Sequence, residues 1–122
     1  MNVLLGIGGA KDSLLALEET VERAAITGDQ LTIAILSEAA VEHSIEGLMD
    51  TIQEVLDQFA VTAEIEVLSG TPGPSLTAHA EANDFDCIVI GGGKRSPMGK
   101  IALGEITEFV VLNADTTVKL IR

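Results

Sequence analysis

The sequence predicts an α/β fold with three layers, in which four helices cover a five-stranded parallel sheet of strand order 3-2-1-4-5. Three observations support this Rossmann-like fold. Apolar, β-branched runs alternate with runs of helical spacing along the whole chain, as in βαβ units with right-handed crossovers. The strand-like runs are nearly continuously apolar, which is typical of sheets covered on both faces. The 122 residues are enough for one hydrophobic core, so we expect a single domain over residues 1–122.

The strands are predicted from short runs rich in Val, Ile and Leu that are followed by glycine, serine or a charged residue. The first run, NVLLGI, opens the chain, and the fourth, DCIVI, continues directly into three glycines. The five predicted strands are Asn2–Ile7, Leu31–Leu36, Ala63–Leu68, Asp86–Ile90 and Thr117–Ile121.

The helices are predicted from apolar residues that recur every three or four positions. The first helix has an apolar stripe that ends before Gly28, and Asp12 or Ser13 is suited to its N-cap position. The second helix has the most regular repeat, whereas the third is short and rich in Ala. The stripe of the first helix consists of Leu14, Leu17, Val21 and Ala24. The four predicted helices are Asp12–Thr27, Ser44–Phe59, Pro74–Asn83 and Lys100–Asn113.

The composition is strongly acidic, with 19 Asp and Glu residues against 7 Lys and Arg and a formal charge of −12. Such a charge repels nucleic acids and anionic membranes, so we expect neither as a partner. Acidic residues spread along the helices, with few lysines, are typical of a halophilic protein, because salt screens the self-repulsion. No signal-peptide pattern or membrane-spanning run is visible in the sequence, and the single cysteine, Cys87, is predicted in an apolar strand. We therefore expect a cytoplasmic protein with a buried thiol.

The loops after the first and fourth strands contain the strongest functional signal. In a sheet of this strand order, ligands bind beyond the carboxyl ends of the strands where the order reverses, which is between these two strands. Both loops, Gly6–Asp12 and Gly91–Lys100, are rich in glycine, whose bare backbone N–H groups can bind an anion. The alternative is two tight turns beside a solvated basic patch. Four of the seven basic residues fall in these loops, namely Lys11, Lys94, Arg95 and Lys100.

Three segments resemble the universal stress protein family, and the resemblance covers the whole chain. They are the opening VLLGIGG, the strand end at Ser69 followed by Gly70-Thr71-Pro72, and LGEITEFVV in the last third. The resemblance implies a fold like that of adenine-nucleotide α-hydrolases. Many members carry the pattern Gly, two residues, Gly, nine residues, Gly and Ser or Thr, whose amides and hydroxyl hold the phosphates of ATP. An Asp at the end of the first strand helps to hold the nucleoside in those members.

This sequence keeps only part of that pattern. Gly91 matches the first glycine and Gly104 the third, whereas Lys94 occupies the place of the second. Glu105 occupies the place of the hydroxyl residue and Gly8 that of the aspartate, so the motif is degenerate. A carboxylate near a triphosphate repels it, by roughly 4 kcal/mol for unit charges about 4 Å apart near a protein surface. Lys94 adds a cation that can replace part of the lost amide contact.

The resemblance implies a binding protein for ATP or a related adenine nucleotide rather than an enzyme, with Mg²⁺ present only together with the nucleotide. A smaller anion is one alternative ligand, and a nucleotide-free dimeric interaction module with a vestigial phosphate cradle is an alternative function. Slow ATP hydrolysis, with Glu105 beside a divalent metal, is left open. No catalytic or metal-ligating residues are predicted, because His43 and His79 lack partners at ligand spacing. The predicted binding residues are Gly6, Gly8, Gly9, Gly91, Gly92, Gly93, Lys94, Arg95, Gly104 and Glu105.

The last strand, Thr117–Ile121, is predicted to lie at an edge of the sheet with no element covering it. Pairing with the same strand of a second copy would cover this edge in an isologous dimer. The family resemblance also implies pairing through the last strand. We expect a homodimer that buries Val118, Leu120 and Ile121.

Overall fold

Seven strands occur in the structure, a computed structural model that describes residues 1–8, 11–40, 44–92, 94–95, 101–102 and 104–121. For residues 11–12, 94–95 and 101–102 it describes the backbone alone. The strands are β1 (Asn2–Ile7), β2 (Gln30–Leu36), β3 (Ala63–Leu68), β4 (Cys87–Gly91), β5 (Lys94–Arg95), β6 (Ile101–Ala102) and β7 (Thr117–Ile121).

The main sheet has five parallel strands in the order β3-β2-β1-β4-β7, with β1 at its centre. This order confirms the fold class and the strand order 3-2-1-4-5 that the sequence predicts. β5 and β6 form a separate two-stranded antiparallel sheet in the segment that follows β4.

Four helices connect the strands of the main sheet. Ser44 caps the second of them, since its Oγ accepts a hydrogen bond of 3.1 Å from the Gly47 N–H. Within the described residues, the helices are too short or too polar to cross a membrane. The helices are α1 (Lys11–Thr27), α2 (Ile45–Gln58), α3 (Pro72–Ala82) and α4 (Glu105–Asn113).

The last helix starts later than the sequence predicts. It begins at Glu105 rather than at Lys100, because Ile101–Ala102 forms β6 and pairs with β5 instead of joining the helix. The pairing satisfies backbone groups that the extra helical turn would otherwise have satisfied.

The first helix also differs from the prediction at its start. α1 begins at Lys11, so Asp12 and Ser13 lie inside its first turn and the N-cap prediction is wrong. Ser13 is buried and accepts a hydrogen bond of 3.1 Å from the Gly8 N–H. Because Ser13 takes the inward position at this turn, Leu14 is 37% exposed instead of belonging to the buried stripe.

Each face of the main sheet packs against two helices. One apolar cluster, around Leu17, joins α1 and α2 to the sheet, and a second, around Leu76, joins α3 and α4 to the opposite face. Alternate residues of β1 point to opposite faces, so Leu4 belongs to the second cluster and Leu5 to the first. The two layers hold β1 and β4 rigidly from both sides, and this fixes the positions at which their ends emerge.

Candidate functional site

The ends of β1 and β4 lie side by side, and we call this part of the molecule the carboxyl edge. The two strands pair in parallel from Val3 opposite Cys87 to Gly6 opposite Ile90. The starts of the two glycine-rich loops are therefore neighbours, as the strand order predicts. The described residues of the carboxyl edge are Gly6, Gly8, Gly91, Gly92, Gly104 and Glu105.

Gly6 is explained by packing. A Cβ atom added at this position would lie 2.7 Å from Cδ2 of Leu76, which α3 brings against β1. Leu76 is fully buried, so its side chain has little room to move away. The absence of a side chain at Gly6 thus allows α3 to approach the centre of the sheet.

Gly92 is explained in the same way, by its contact with Thr107 of α4. An added Cβ would lie 2.5 Å from Oγ1 and 2.8 Å from Cγ2 of Thr107, which is only 4% exposed. The hydroxyl of Thr107 donates a hydrogen bond of 3.3 Å to the carbonyl of Gly91. The Gly92 N–H donates a bond of 3.0 Å to the carbonyl of Ile121. These contacts fix the first turn of α4 against the end of β4.

Gly8 occupies the place at which the family resemblance expects an aspartate. Its N–H donates to Ser13 at the start of α1, and an added Cβ would lie 3.2 Å from the Cβ of Ala39. A side chain at this position would press against the turn that follows β2. Gly8 therefore keeps the end of β1 close to both neighbouring segments.

Gly104 has a different environment. It is the N-cap of α4 with φ −69° and ψ 163°, a conformation open to any residue, and no heavy atom of the described residues lies within 4 Å of an added Cβ. Within the described residues, no side chain caps this end of the helix. The first N–H groups of an α-helix have no partner within the helix, so they are available to bind an anion. Packing thus gives no reason for a glycine here, unlike at Gly6 and Gly92.

Glu105 is the first residue of α4 and is exposed. Together with Glu108 it places two carboxylates in the first turn, where the positive end of the helix dipole favours negative charge. This gives Glu105 a structural role that needs no ligand. Because the side chain is exposed, solvent and salt screen its repulsion of a bound anion.

Two predicted site residues, Gly9 and Gly93, lie outside the described residues. The backbones of Lys94 and Arg95 form β5, opposite Ala102 and Ile101, and their side chains are not described. The place of the second motif glycine is therefore in a short antiparallel hairpin.

Sequence reasoning did not identify the hydroxyl groups of Ser13 and Thr107 as parts of the site. Each joins the first turn of a helix to the end of β1 or β4 through a main-chain hydrogen bond. In the sequence, the signal for Thr107 is that it stands three residues after Gly104 and three before buried Val110, on the inward face of α4.

Cys87 and His79, two further titratable candidates, lie away from the carboxyl edge. Cys87 is buried, as expected, and burial raises the pKa of its thiol, although the charge of Lys119 partly offsets this. The Nε2 of His79 lies 2.5 Å from Oε2 of Glu66 in β3, a partner that spacing along the sequence does not reveal. His43 lies outside the described residues.

Comparisons with known proteins agree with this architecture. The model of the universal stress protein family matches residues 1–122. A universal stress protein of Methanocaldococcus jannaschii is 27% identical over 88 residues, which cover 72% of this chain and 51% of that protein. The chain thus spans about half the length of this curated relative.

Two solved structures have similar folds. A universal stress protein in complex with cAMP is 20% identical and has a TM-score of 0.80, with 100% of this chain and 97% of that chain covered. A universal stress protein from Archaeoglobus fulgidus in complex with dAMP is 17% identical and has a TM-score of 0.74, with 100% and 98% covered. The family model spans every residue and the sheet topology agrees with it, so the chain belongs to the universal stress protein family.

Proposed function

We propose that this protein acts in a cytoplasmic stress response by binding an adenine nucleotide at the carboxyl edge, without a catalytic step. The observation that carries the proposal is Gly104, the start of a helix beside the ends of the two central strands. Among the described residues, no side chain caps this helix and no heavy atom lies within 4 Å of an added Cβ at Gly104. The two similar structures in complex with cAMP and dAMP support adenine as the base.

The N–H groups in the first turn of α4 are the proposed phosphate site. An anion at an exposed helix N-terminus gains roughly 0.3–1 kcal/mol from the helix dipole, and more when partly buried. Thr107, packed on Gly92, holds this turn at the end of β4. On the other side of the site, Gly8 has no side chain to project from the end of β1, so that a nucleoside can lie across both strands. We propose that Gly9, Gly93, Lys94 and Arg95 complete the site, the last two by their charge.

The charge of the chain favours a nucleotide with a single phosphate group over ATP. The formal charge is −12, and Glu105 occupies the place of the hydroxyl residue in the family pattern. Each further phosphate adds negative charge close to this carboxylate, so repulsion grows from AMP to ATP. Mg²⁺ would offset part of the repulsion and is therefore expected only with ATP.

Titration calorimetry with AMP, ATP, ATP with Mg²⁺ and inorganic phosphate, in low and high KCl, tests the proposal. We expect AMP to bind more tightly than ATP, with a difference that shrinks as KCl screens the repulsion. Replacement of the carboxylate by a hydroxyl in Glu105→Ser should tighten ATP binding about tenfold, corresponding to about 1.4 kcal/mol.

Glu108→Ser is the matched control, because it removes the same charge from the same helical turn but from a position outside the family pattern. Equal gains in both variants would mean that only the overall charge matters. The absence of heat with every nucleotide, together with no absorbance of co-purified nucleotide at 260 nm, would refute nucleotide binding and favour the nucleotide-free interaction module.

We also propose that the protein is a homodimer that pairs through β7. β7 ends the main sheet, and within the described residues it pairs only with β4. Val118 and Leu120 already pack half-buried against the α3–α4 layer, and Ile121 is buried in the other cluster. The interface therefore depends on the free backbone edge of β7 more than on these three side chains. Light scattering in high KCl should give about twice the 12.7 kDa of one chain, and a mass of one chain would refute the dimer.

A further inference from the structure

A cavity of about 400 Å³ lies on the α1 side of the main sheet, at the amino ends of β1, β4 and β7. It is thus at the opposite edge of the sheet from the proposed nucleotide site. Val3 and Cys87 line its floor, and Thr20 and Ala24 of α1 line its wall. Its size falls within the roughly 300–1,000 Å³ of small-molecule sites. We propose that this cavity, the Cys87 cavity, binds a small apolar monocarboxylate whose carboxylate group is held by Lys119.

The cavity exists because short side chains face it from α1. Thr20 and Ala24 are small, whereas Leu17 and Val21, which α1 packs on the sheet nearer its middle, are larger. On the β7 side, Val118 is packed in the cluster of the opposite face. Thr117 and Lys119 of β7 line the cavity and are exposed, whereas Ile121 lies on the same face but outside the cavity lining. Within the described residues, β7 therefore places no large apolar side chain over the floor of the cavity.

The floor is suited to an apolar tail. The side chains of Val3, Val89 and Cys87 line the floor, so a tail that enters contacts apolar side chains. Leu31 adds a further apolar surface beside them. Displacement of water from such a surface is favourable for an alkyl or aryl group and unfavourable for a sugar or phosphate.

The charged groups around the cavity leave a cation for the ligand. Asp29 accepts a hydrogen bond of 3.3 Å from Arg23, and Asp86 accepts one of 2.7 Å from the backbone N–H of Asn2. Both carboxylates thus have partners. Lys119 also lines the cavity, and it forms no ion pair with any residue that the structure describes. An apolar floor with one such cation at its rim matches a molecule with a single carboxylate group and an apolar tail.

A second cavity serves as an internal comparison. It has about 480 Å³ and lies on the other face of the sheet, beside His79, Glu64 and Glu66. Its described lining contains no lysine or arginine and includes two carboxylates. A carboxylate ligand would be repelled there, so size alone does not make a cavity suitable for this ligand class.

The single cysteine of the chain makes occupancy of the Cys87 cavity directly measurable. Iodoacetamide alkylates the Cys87 thiolate of the native full-length chain, and the rate is followed by mass spectrometry at about pH 9, because burial raises the pKa of this thiol. Octanoate, the probe, should slow the alkylation about tenfold at saturation, and 1-octanol, which lacks the carboxylate, should protect much less. Free glutathione in place of the protein checks that octanoate does not inhibit the reagent.

Lys119→Gln tests the role of the cation, and Lys11→Gln, at the opposite end of α1, is the matched control for the loss of one positive charge. Since Lys119 also influences the thiol, the ratio of alkylation rates with and without octanoate is compared rather than the rates themselves. We expect Lys119→Gln to raise the octanoate concentration for half protection about fivefold or more, and Lys11→Gln to leave it unchanged. The proposal is overturned if octanoate gives no protection, if octanol protects equally well, or if the two variants respond alike.

Discussion

The carboxyl edge of the main sheet, where its strands end, and the amino edge, where its strands begin, are held together in different ways. At the amino edge, charged side chains make the contacts, as Asp29 does with Arg23 and Asp86 with a backbone N–H. At the carboxyl edge, the hydroxyls of Ser13 and Thr107 bind main-chain groups, and glycines make close approach possible. Charged groups therefore hold the structure together at one edge, whereas hydroxyl groups and close main-chain contacts do so at the other.

The glycines of the carboxyl edge are themselves of two kinds. Gly6 and Gly92 lie against the buried side chains of Leu76 and Thr107, and a Cβ at either position would collide with them. At Gly104, no atom in the described part of the chain lies within 4 Å of an added Cβ. Packing accounts for the first two, and the proposed ligand accounts for the third. Replacement of each kind by alanine separates the two roles.

The largest effect is expected for Gly92→Ala. The new methyl group would lie 3.1 Å from the Cβ of Thr107 as well as close to both of its γ atoms, so no rotation of that side chain relieves the contact. We expect the free energy of unfolding to fall by about 1–3 kcal/mol, as overpacking of a core does. Urea unfolding at constant KCl measures this loss of unfolding free energy.

A double-variant cycle provides the control for this prediction. Thr107→Ala alone loses the hydrogen bond to Gly91 and some packing, but in the double variant it also removes the two γ atoms, which are the nearest atoms to the new methyl group. The double variant should therefore lose less stability than the sum of the two single variants. Strict additivity would show that the Gly92–Thr107 contact is not what requires glycine.

A smaller effect on stability, with a clear effect on binding, is expected for Gly104→Ala. The backbone conformation suits alanine and no described heavy atom lies within 4 Å of the new methyl group, so the free energy of unfolding should change by less than about 1 kcal/mol, the range of an N-cap exchange. The methyl group would stand where a phosphate approaches the first turn of α4, and AMP affinity should fall about fivefold, or roughly 1 kcal/mol.

Gly47→Ala is the control for the general effect of a glycine-to-alanine exchange, since it lies in α2 with only ordinary contacts around an added Cβ. It should leave AMP binding, measured by calorimetry, unchanged. Normal AMP affinity in Gly104→Ala, or a loss of stability as large as that of Gly92→Ala, would remove the distinction between the two kinds of glycine.

The sequence was sufficient to predict the main sheet but not to distinguish the two kinds of glycine. β1, β3 and β7 have the predicted bounds, because continuous apolar runs specify strands that are covered by helices. β5 and β6, with two residues each, are too short to produce a periodic pattern, and α4 was therefore predicted to start too early. A glycine in a sequence gives no information about which side chain faces its Cα, so Gly92 and Gly104 look alike until the position of Thr107 is known.

The same limit applies to the apolar residues of β7. Their pattern predicts an exposed edge that a second copy covers, and the edge position is confirmed. Whether Val118 and Leu120 are free for a partner depends on how far α3 and α4 extend over the strand, which is a property of the tertiary packing. In the structure, both already pack against that layer.

The smallest effect is expected at the amino edge, for Asp29→Asn. Burial raises the pKa of Asp29, but hydrogen bonds from Thr27 and the N-terminal amine and the charge of Arg23 lower it by more, so the pKa lies below its usual value of 3.8. A carboxyl group with a lowered folded-state pKa stabilises the fold above its unfolded-state pKa, and the stabilisation is lost as the pH falls through the folded-state value.

At pH 6 and low salt, the Asp29→Asn variant should be less stable by about 1 kcal/mol or less, the range of partly exposed ion pairs. This difference, measured by urea unfolding, should shrink as the pH falls below 3.8 and also as KCl is added, whereas the cost of Gly92→Ala should respond to neither. A difference for Asp29→Asn that does not depend on pH would mean that charge does not hold this edge together.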